Sequence, residues 1–222
     1  MIFNKEKVGT LFDYSRYING ENIPTDVIFS YKLNGIKLLL SIYVYEKSIF
    51  LRVIEKNNVI CRINFENITE VVKEKETIYF YHDNLLKFKL TLSDKIVLTL
   101  VDSKKETNLY EVLKIDDLDM LELFWMEGEI RQTQTGKSLV YSRAIKNQKV
   151  FLEIFKDSNR ISFEVINNDI FMMNGHINQI THLIKKDTAL IVNRNCENYI
   201  KVDMNDFISV SVNDTNTIYG SF

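Results

Sequence analysis

Apolar and polar residues alternate along most of this chain, and that period of two constrains its fold more than any other feature. Phe50, Arg52 and Ile54 alternate with Leu51, Val53 and Glu55. The run Leu86-Lys87-Phe88-Lys89-Leu90-Thr91-Leu92 alternates strictly, and Val59 to Phe65 and Thr77 to Tyr81 are filled with β-branched and aromatic residues. Successive side chains of a strand point to opposite faces, so such runs suit sheets with one face buried. Turn-forming clusters separate them: Asn34-Gly35, Lys56-Asn57-Asn58, His82-Asp83-Asn84 and Ser93-Asp94. Asn-Gly between two apolar runs is a hairpin signal. The expectation is an all-β protein built from antiparallel strands, sandwich or barrel-like.

One segment departs from this pattern. Between Asp116 and Met126, Leu118, Leu121 and Trp125 recur at helical spacing, and Met120, Leu123, Phe124 and Met126 widen the apolar face. Asp116 or Asp117 can cap the N-terminus, acids occupy the first turn where the helix dipole favours them, and Gly128 follows as a stop. A short helix over about 117–127 is expected, with Trp125 packed between or against two similar copies of the chain's β-domains; Thr107 to Ile115 could begin with another helical turn.

The chain also resembles itself. Shifted by 101 residues, Asn34 to Ile60 lies over Thr135 to Ile161, with Gly35/Gly136, Leu38/Leu139, Ser41/Ser142, Phe50/Phe151 and Leu51/Leu152 identical. Thr77 to Asp102 then lies over Thr188 to Asp214 with one inserted residue. The alternation stays in phase, which a one-residue slip would invert. This predicts two tandem β-domains, 1–105 and 128–222, with repeat cores of about 27–102 and 128–214, joined by a helical connector at 106–127. On this alignment the second copy carries about ten extra residues, read as a longer loop at 167–187.

Composition bounds the function. Net charge is −2, and the residues before and after position 110 carry 16 basic against 14 acidic and 12 against 16. Neither half has the basic excess of a broad phosphate footprint, although a local patch stays open, since charge in sequence is not charge in space. The longest apolar run, Leu38 to Tyr45, is interrupted by Ser41 and is far short of the roughly 20 residues that span a bilayer. With no leader-like N-terminus, a cytoplasmic protein without a membrane role is expected. Cys61 and Cys196 lie far apart and outside any metal pattern, which favours two free thiols. Twenty-one lysines against seven arginines, with few alanines, suggest a low-GC coding sequence of phage, viral or bacterial origin.

Catalytic and cofactor motifs do not emerge. Gly136-Lys137-Ser138 has Arg131 where a phosphate-binding loop needs its first glycine. His176 and His182 lack further ligands nearby, and Asp116, Asp117, Asp119 and Glu122 are explained by helix capping. No Ser/His/Asp or Cys/His set can be nominated. We therefore expect no enzyme, no metal and no cofactor, but a binding or assembly protein acting through edge strands and the 167–187 segment. There Asn174, His176, Asn178, His182, Lys185 and Lys186 are the partner-contact candidates. One alternative is a sensor holding a nucleotide-like ligand between the copies, with Arg131, Lys137 and Arg143 lining the cleft. Another is a single-strand nucleic-acid binder using Tyr43, Tyr45, Tyr79, Phe80 and Tyr81 with Lys87 and Lys89.

Overall fold

The computed structural model describes residues 1–17, 26–101, 113–126, 128–133, 136–194 and 197–214. Twenty strands and two α-helices follow in order. The first half holds β1 (Ile2–Phe3), α1 (Lys5–Gly9), β2 (Tyr14–Tyr17), β3 (Val27–Leu33), β4 (Ile36–Tyr43), β5 (Ser48–Glu55), β6 (Asn58–Phe65), β7 (Glu70–Glu74), β8 (Thr77–His82), β9 (Leu85–Leu92) and β10 (Ile96–Leu100). The second holds β11 (Lys114–Ile115), α2 (Asp117–Phe124), β12 (Glu129–Thr133), β13 (Gly136–Ile145), β14 (Gln148–Phe155), β15 (Arg160–Asn167), β16 (Phe171–Ile177), β17 (Ile180–Lys186), β18 (Ala189–Arg194), β19 (Glu197–Met204) and β20 (Ile208–Asp214).

The strands form two ten-stranded sheets. Sheet I runs β1-β7-β8-β9-β10-β16-β15-β14-β13-β12, and sheet II runs β11-β17-β18-β19-β20-β6-β5-β4-β3-β2. Each half thus places one antiparallel meander in each sheet. The halves fuse edge to edge through two parallel pairs, β10 with β16 and β6 with β20. Parallel neighbours need a long crossover, and here the crossover is the passage of the chain through the other sheet. The short helix α2 lies between the two sets of strands in sequence, as expected.

The halves correspond at a constant offset through several strands. Adding 112 takes the first residues of β4, β5, β8, β9 and β10 (36, 48, 77, 85, 96) onto those of β14, β15, β18, β19 and β20 (148, 160, 189, 197, 208). Six left-handed residues repeat at the same offset: Asn34/Lys146, Lys47/Asn159, Lys56/Asn168, Asn57/Asp169, Asn67/Gln179 and Lys75/Asp187. So do backbone hydrogen bonds, such as Ile68 N to Lys47 O (2.7 Å) and Ile180 N to Asn159 O (2.9 Å). Structurally, Asn34 to Ile60 therefore matches Lys146 to Met172, one strand beyond the segment that sequence similarity selects. Leu139 and Val150 lie eleven residues apart and both face inward, against Ile154 and Arg143 of the neighbouring strand. A shift of one strand thus leaves the alternation in phase. With the offset corrected, 167–187 is not an added loop: it contains β16 and β17, counterparts of β6 and β7.

The sheets pack face to face over one hydrophobic core. Phe65 of sheet II stacks on Phe88 of sheet I at 4.7 Å, and Gln148 of sheet I exchanges two hydrogen bonds with the Ile208 backbone of sheet II (3.1 and 2.6 Å). Equivalent residues meet at the pseudo-two-fold axis: Cys61 Sγ lies 3.7 Å from Met173 Sδ, and Asn167 Nδ2 donates to Glu55 Oε2 at 3.0 Å. Burial pushes the Cys61 thiol well above its ordinary range; Cys196 lies outside the described residues. An aromatic plugs each outer end of the sandwich: Phe12, three residues beyond α1, stacks on Phe29 (4.9 Å), and Phe124, the last residue of α2, packs at a tilt of 40° on Tyr141 (5.4 Å), the equivalent pair. No helix among the described residues is long and apolar enough to cross a membrane.

Candidate functional site

Helix α2 begins where Asp116 accepts hydrogen bonds from the Leu118 and Asp119 amides (2.9 and 3.3 Å). Satisfying these otherwise orphaned donors is worth about 1 kcal/mol. The helix ends at Trp125, left-handed at φ 58°, whose N–H donates to Leu121 O; Gly128 has a different task. A Cβ at Gly128 would lie 2.7 Å from the Tyr141 ring, so the chain can pass over that ring only without a side chain. The helical turn expected at the start of 107–115 falls on residues 107–112, outside the described set; Lys114–Ile115 form β11.

The helix buries Met120, Leu123 and Phe124 and leaves Leu118, Leu121 and Trp125 facing solvent, at 63, 39 and 73% exposure. This inverts the expected core face, because Asp117, Asp119 and Glu122 are spread around the helix and leave no single polar stripe to mark its outside. Trp125 is covered on one side only. The guanidinium of Arg143, from β13, stands 3.9 Å over its ring and donates to Leu123 O, while desolvation lowers the Arg143 pKa and its Nε lacks a partner. Lys185 of β17 ties down the outer turn through Glu122.

Beside this face runs β12, the last strand of sheet I. It pairs with β13 (Ile130 opposite Leu139, Arg131 opposite Ser138) and has no strand on its other side among the described residues. Glu129 to Gln132 are all exposed, Ile130 at 66%. Between β12 and α2 opens a groove of about 490 Å³ lined by Leu118, Leu121, Ile130, Leu139 and Tyr141, with the Asp117–Lys156 ion pair (3.8 Å) also in its wall. Exposed main-chain donors and acceptors next to an apolar slot make a template for an added strand.

The equivalent end of the first half is built differently. Glu6, Gly9 and Asp13 stand where Leu118, Leu121 and Trp125 stand. Tyr17 pairs with Val27 as Ile130 pairs with Leu139, and the Lys5 ammonium sits 4.5 Å over the Tyr17 ring. That edge is polar and partly covered.

The other candidate residues are dispersed. Arg131 and Lys137 are exposed on β12 and β13 and Arg143 is buried under α2, all at the far end of sheet I from the seam, where continuous sheets rather than a cleft join the halves. Asn174 and His176 lie on β16 in sheet I, Asn178 in the crossing between sheets, and His182, Lys185 and Lys186 on β17 in sheet II, so the two histidines belong to different sheets. Tyr79 and Tyr81 stack 6.5 Å apart, but Phe80 is in the core and Tyr43 is in the other sheet, so the aromatics form no common platform. Sequence reasoning missed Ile130, whose signal was a lone apolar residue between Glu129 and Arg131. No protein-family model matches this chain, and no curated protein sequence matches it.

Proposed function

We propose that this is a non-enzymatic binding or assembly protein whose working surface is the β12–α2 end, where a strand of another protein chain adds to sheet I. The observation that carries this reading is the groove itself: an edge strand unpaired on one side among the described residues, beside three exposed apolar side chains that line it, Leu118, Leu121 and Ile130, with the exposed Trp125 at the end of α2. Singly exposed apolar residues are ordinary, whereas a contiguous patch beside an open edge marks an interaction site.

A second copy of the chain is the partner best matched in charge. Antiparallel pairing of β12 with its own copy, centred on Ile130, sets each Glu129 opposite an Arg131 and each Ile130 opposite its twin. Opposite charges directly across a strand pair are favourable. Light-scattering mass across a dilution series tests this: a species near twice 26.2 kDa is expected, and Ile130→Lys returns it to monomer. A wild-type monomer at every concentration eliminates self-pairing and leaves a foreign strand as the occupant. A dimer untouched by Ile130→Lys and by Leu121→Glu moves the interface elsewhere.

A further inference from the structure

The outer faces of the two sheets have diverged in charge at matching positions. In sheet II one lateral row, fixed by strand register, reads Leu39, Arg52, Arg62, Ser211, Lys201, Ile191. The matching row of sheet I reads Phe151, Glu164, Asn174, Thr99, Lys89, Tyr79. The central Arg–Arg of one row is thus Glu–Asn in the other. Side chains alternate faces along each strand, so Lys32 and Lys37 share the outer face of sheet II with this row, as does Arg16 on its edge strand. The one carboxylate among the described strand residues of that face, Asp203, is already paired with Lys201 at 3.4 Å. On sheet I, Glu153 and Glu164 interleave with Lys149 and Lys89. The chain is close to neutral overall, yet its charge is sorted between two faces.

Arg52 and Arg62 stand directly opposite one another on adjacent strands. Like charges at that spacing repel, and no carboxylate among the described residues bridges them. Both guanidiniums flank one ring, with Cζ 5.2 and 6.0 Å from the Phe50 centroid, and the Arg52 Nε is shielded from water without a hydrogen-bond partner. A fixed pair of planar forks with donors to spare is suited to phosphate oxygens, which accept two parallel N–H bonds. Along the row, strand spacing of about 4.8 Å places Arg52, Arg62, the Ser211 hydroxyl and Lys201 across roughly 14 Å. That length matches two or three consecutive phosphates.

We infer that the outer face of sheet II binds single-stranded nucleic acid, its backbone crossing the strands along Arg52, Arg62, Ser211 and Lys201. A single strand is chosen over a duplex because Arg52, Arg62 and Lys201 follow one lateral row across the strands, with Lys32, Lys37 and Arg16 lying off it. The bases are left free to stack on the arginine planes. This inference is independent of the edge-strand reading, since it uses the face of the other sheet.

Anisotropy of a fluorescent oligothymidylate with the full chain provides the test. About three neutralised phosphates give a log–log salt slope near −2, so a fourfold rise in salt weakens binding roughly twentyfold. Arg52→Glu with Arg62→Glu is expected to abolish binding, and Arg52→Gln with Arg62→Gln, which removes charge without adding repulsion, to weaken it at least tenfold. In that background, Glu164→Arg with Asn174→Arg writes the sheet II row onto sheet I and is expected to restore binding there. Circular dichroism confirms that each variant is folded. Absence of binding by the wild type at low salt, binding unchanged in the folded glutamine variant, or equal affinity for duplex DNA would each overturn the inference.

Discussion

The α1 end and the α2 end are the same construction with opposite surfaces. Both begin with a two-residue strand and a capping residue, Asn4 or Asp116, and both seal the sandwich with an aromatic, Phe12 on Phe29 or Phe124 on Tyr141. Outside that shared frame, Glu6, Gly9 and Asp13 face Leu118, Leu121 and Trp125 across the repeat. The inner contacts have stayed alike because both ends of the sandwich need plugs. The outer contacts were free to differ, and their divergence separates what holds the fold from what the fold presents.

Breaking the shared part is expected to have the largest effect. Phe124→Ala empties a site that is 3% exposed and should cost about 3–5 kcal/mol in a urea titration. Phe12→Ala, at a partly buried position, should cost less. If Phe12→Ala were instead the more damaging, the two plugs would not be energetically equivalent.

The axis between the halves offers a pH test. Cys61 is fully buried, so its thiol titrates far above its ordinary value of 9.0, while in the unfolded chain it ionises near that value. The unfolded state then loses its proton first. The contribution is fully present below about pH 9 and is lost as pH rises, by up to about 1.4 kcal/mol per unit. With Cys196→Ser as background, stability measured from pH 8 to 10.5 should fall less in Cys61→Ala than in its parent. Alkylation of Cys61 should require unfolding. Parallel pH curves for the two chains would show that the thiol is not desolvated.

Strands and hairpins were legible because alternation and turn chemistry are local, as at Asn34-Gly35. The helix was legible from Asp116 and its first-turn acids, but its orientation was not, because its acids are spread around the helix rather than gathered in one stripe and the Phe124–Tyr141 contact is tertiary. The repeat was legible while its register was not: a one-strand shift preserves the inward set, as Leu139 and Val150 show. Left-handed positions such as Lys47 and Asn159 would have fixed the offset, yet neither is a glycine or otherwise marked. Arg131 was expected in a cleft between the halves, whereas the strand order places it on the edge strand β12, and the opposition of Arg52 and Arg62 depends on cross-strand register that no local pattern carries.

The smallest effects sharpen the comparison most, because they touch the outer face without the plug. Leu118→Glu gives α2 the residue that α1 carries at the same point. Leu118 is 63% exposed, so stability should stay within about 0.5 kcal/mol of wild type while the dimer's dissociation constant rises. Trp125→Ala removes the ring under Arg143 and should cost about 0.5–1 kcal/mol of folding stability, the range of an exposed cation–π pair. Its effect on light-scattering mass should exceed its effect on urea stability, since the opposite face of the ring is open to a partner. If the order is reversed, with stability lost and association untouched, Trp125 serves to cover Arg143. The partner would then seat on the Leu118–Ile130 groove alone.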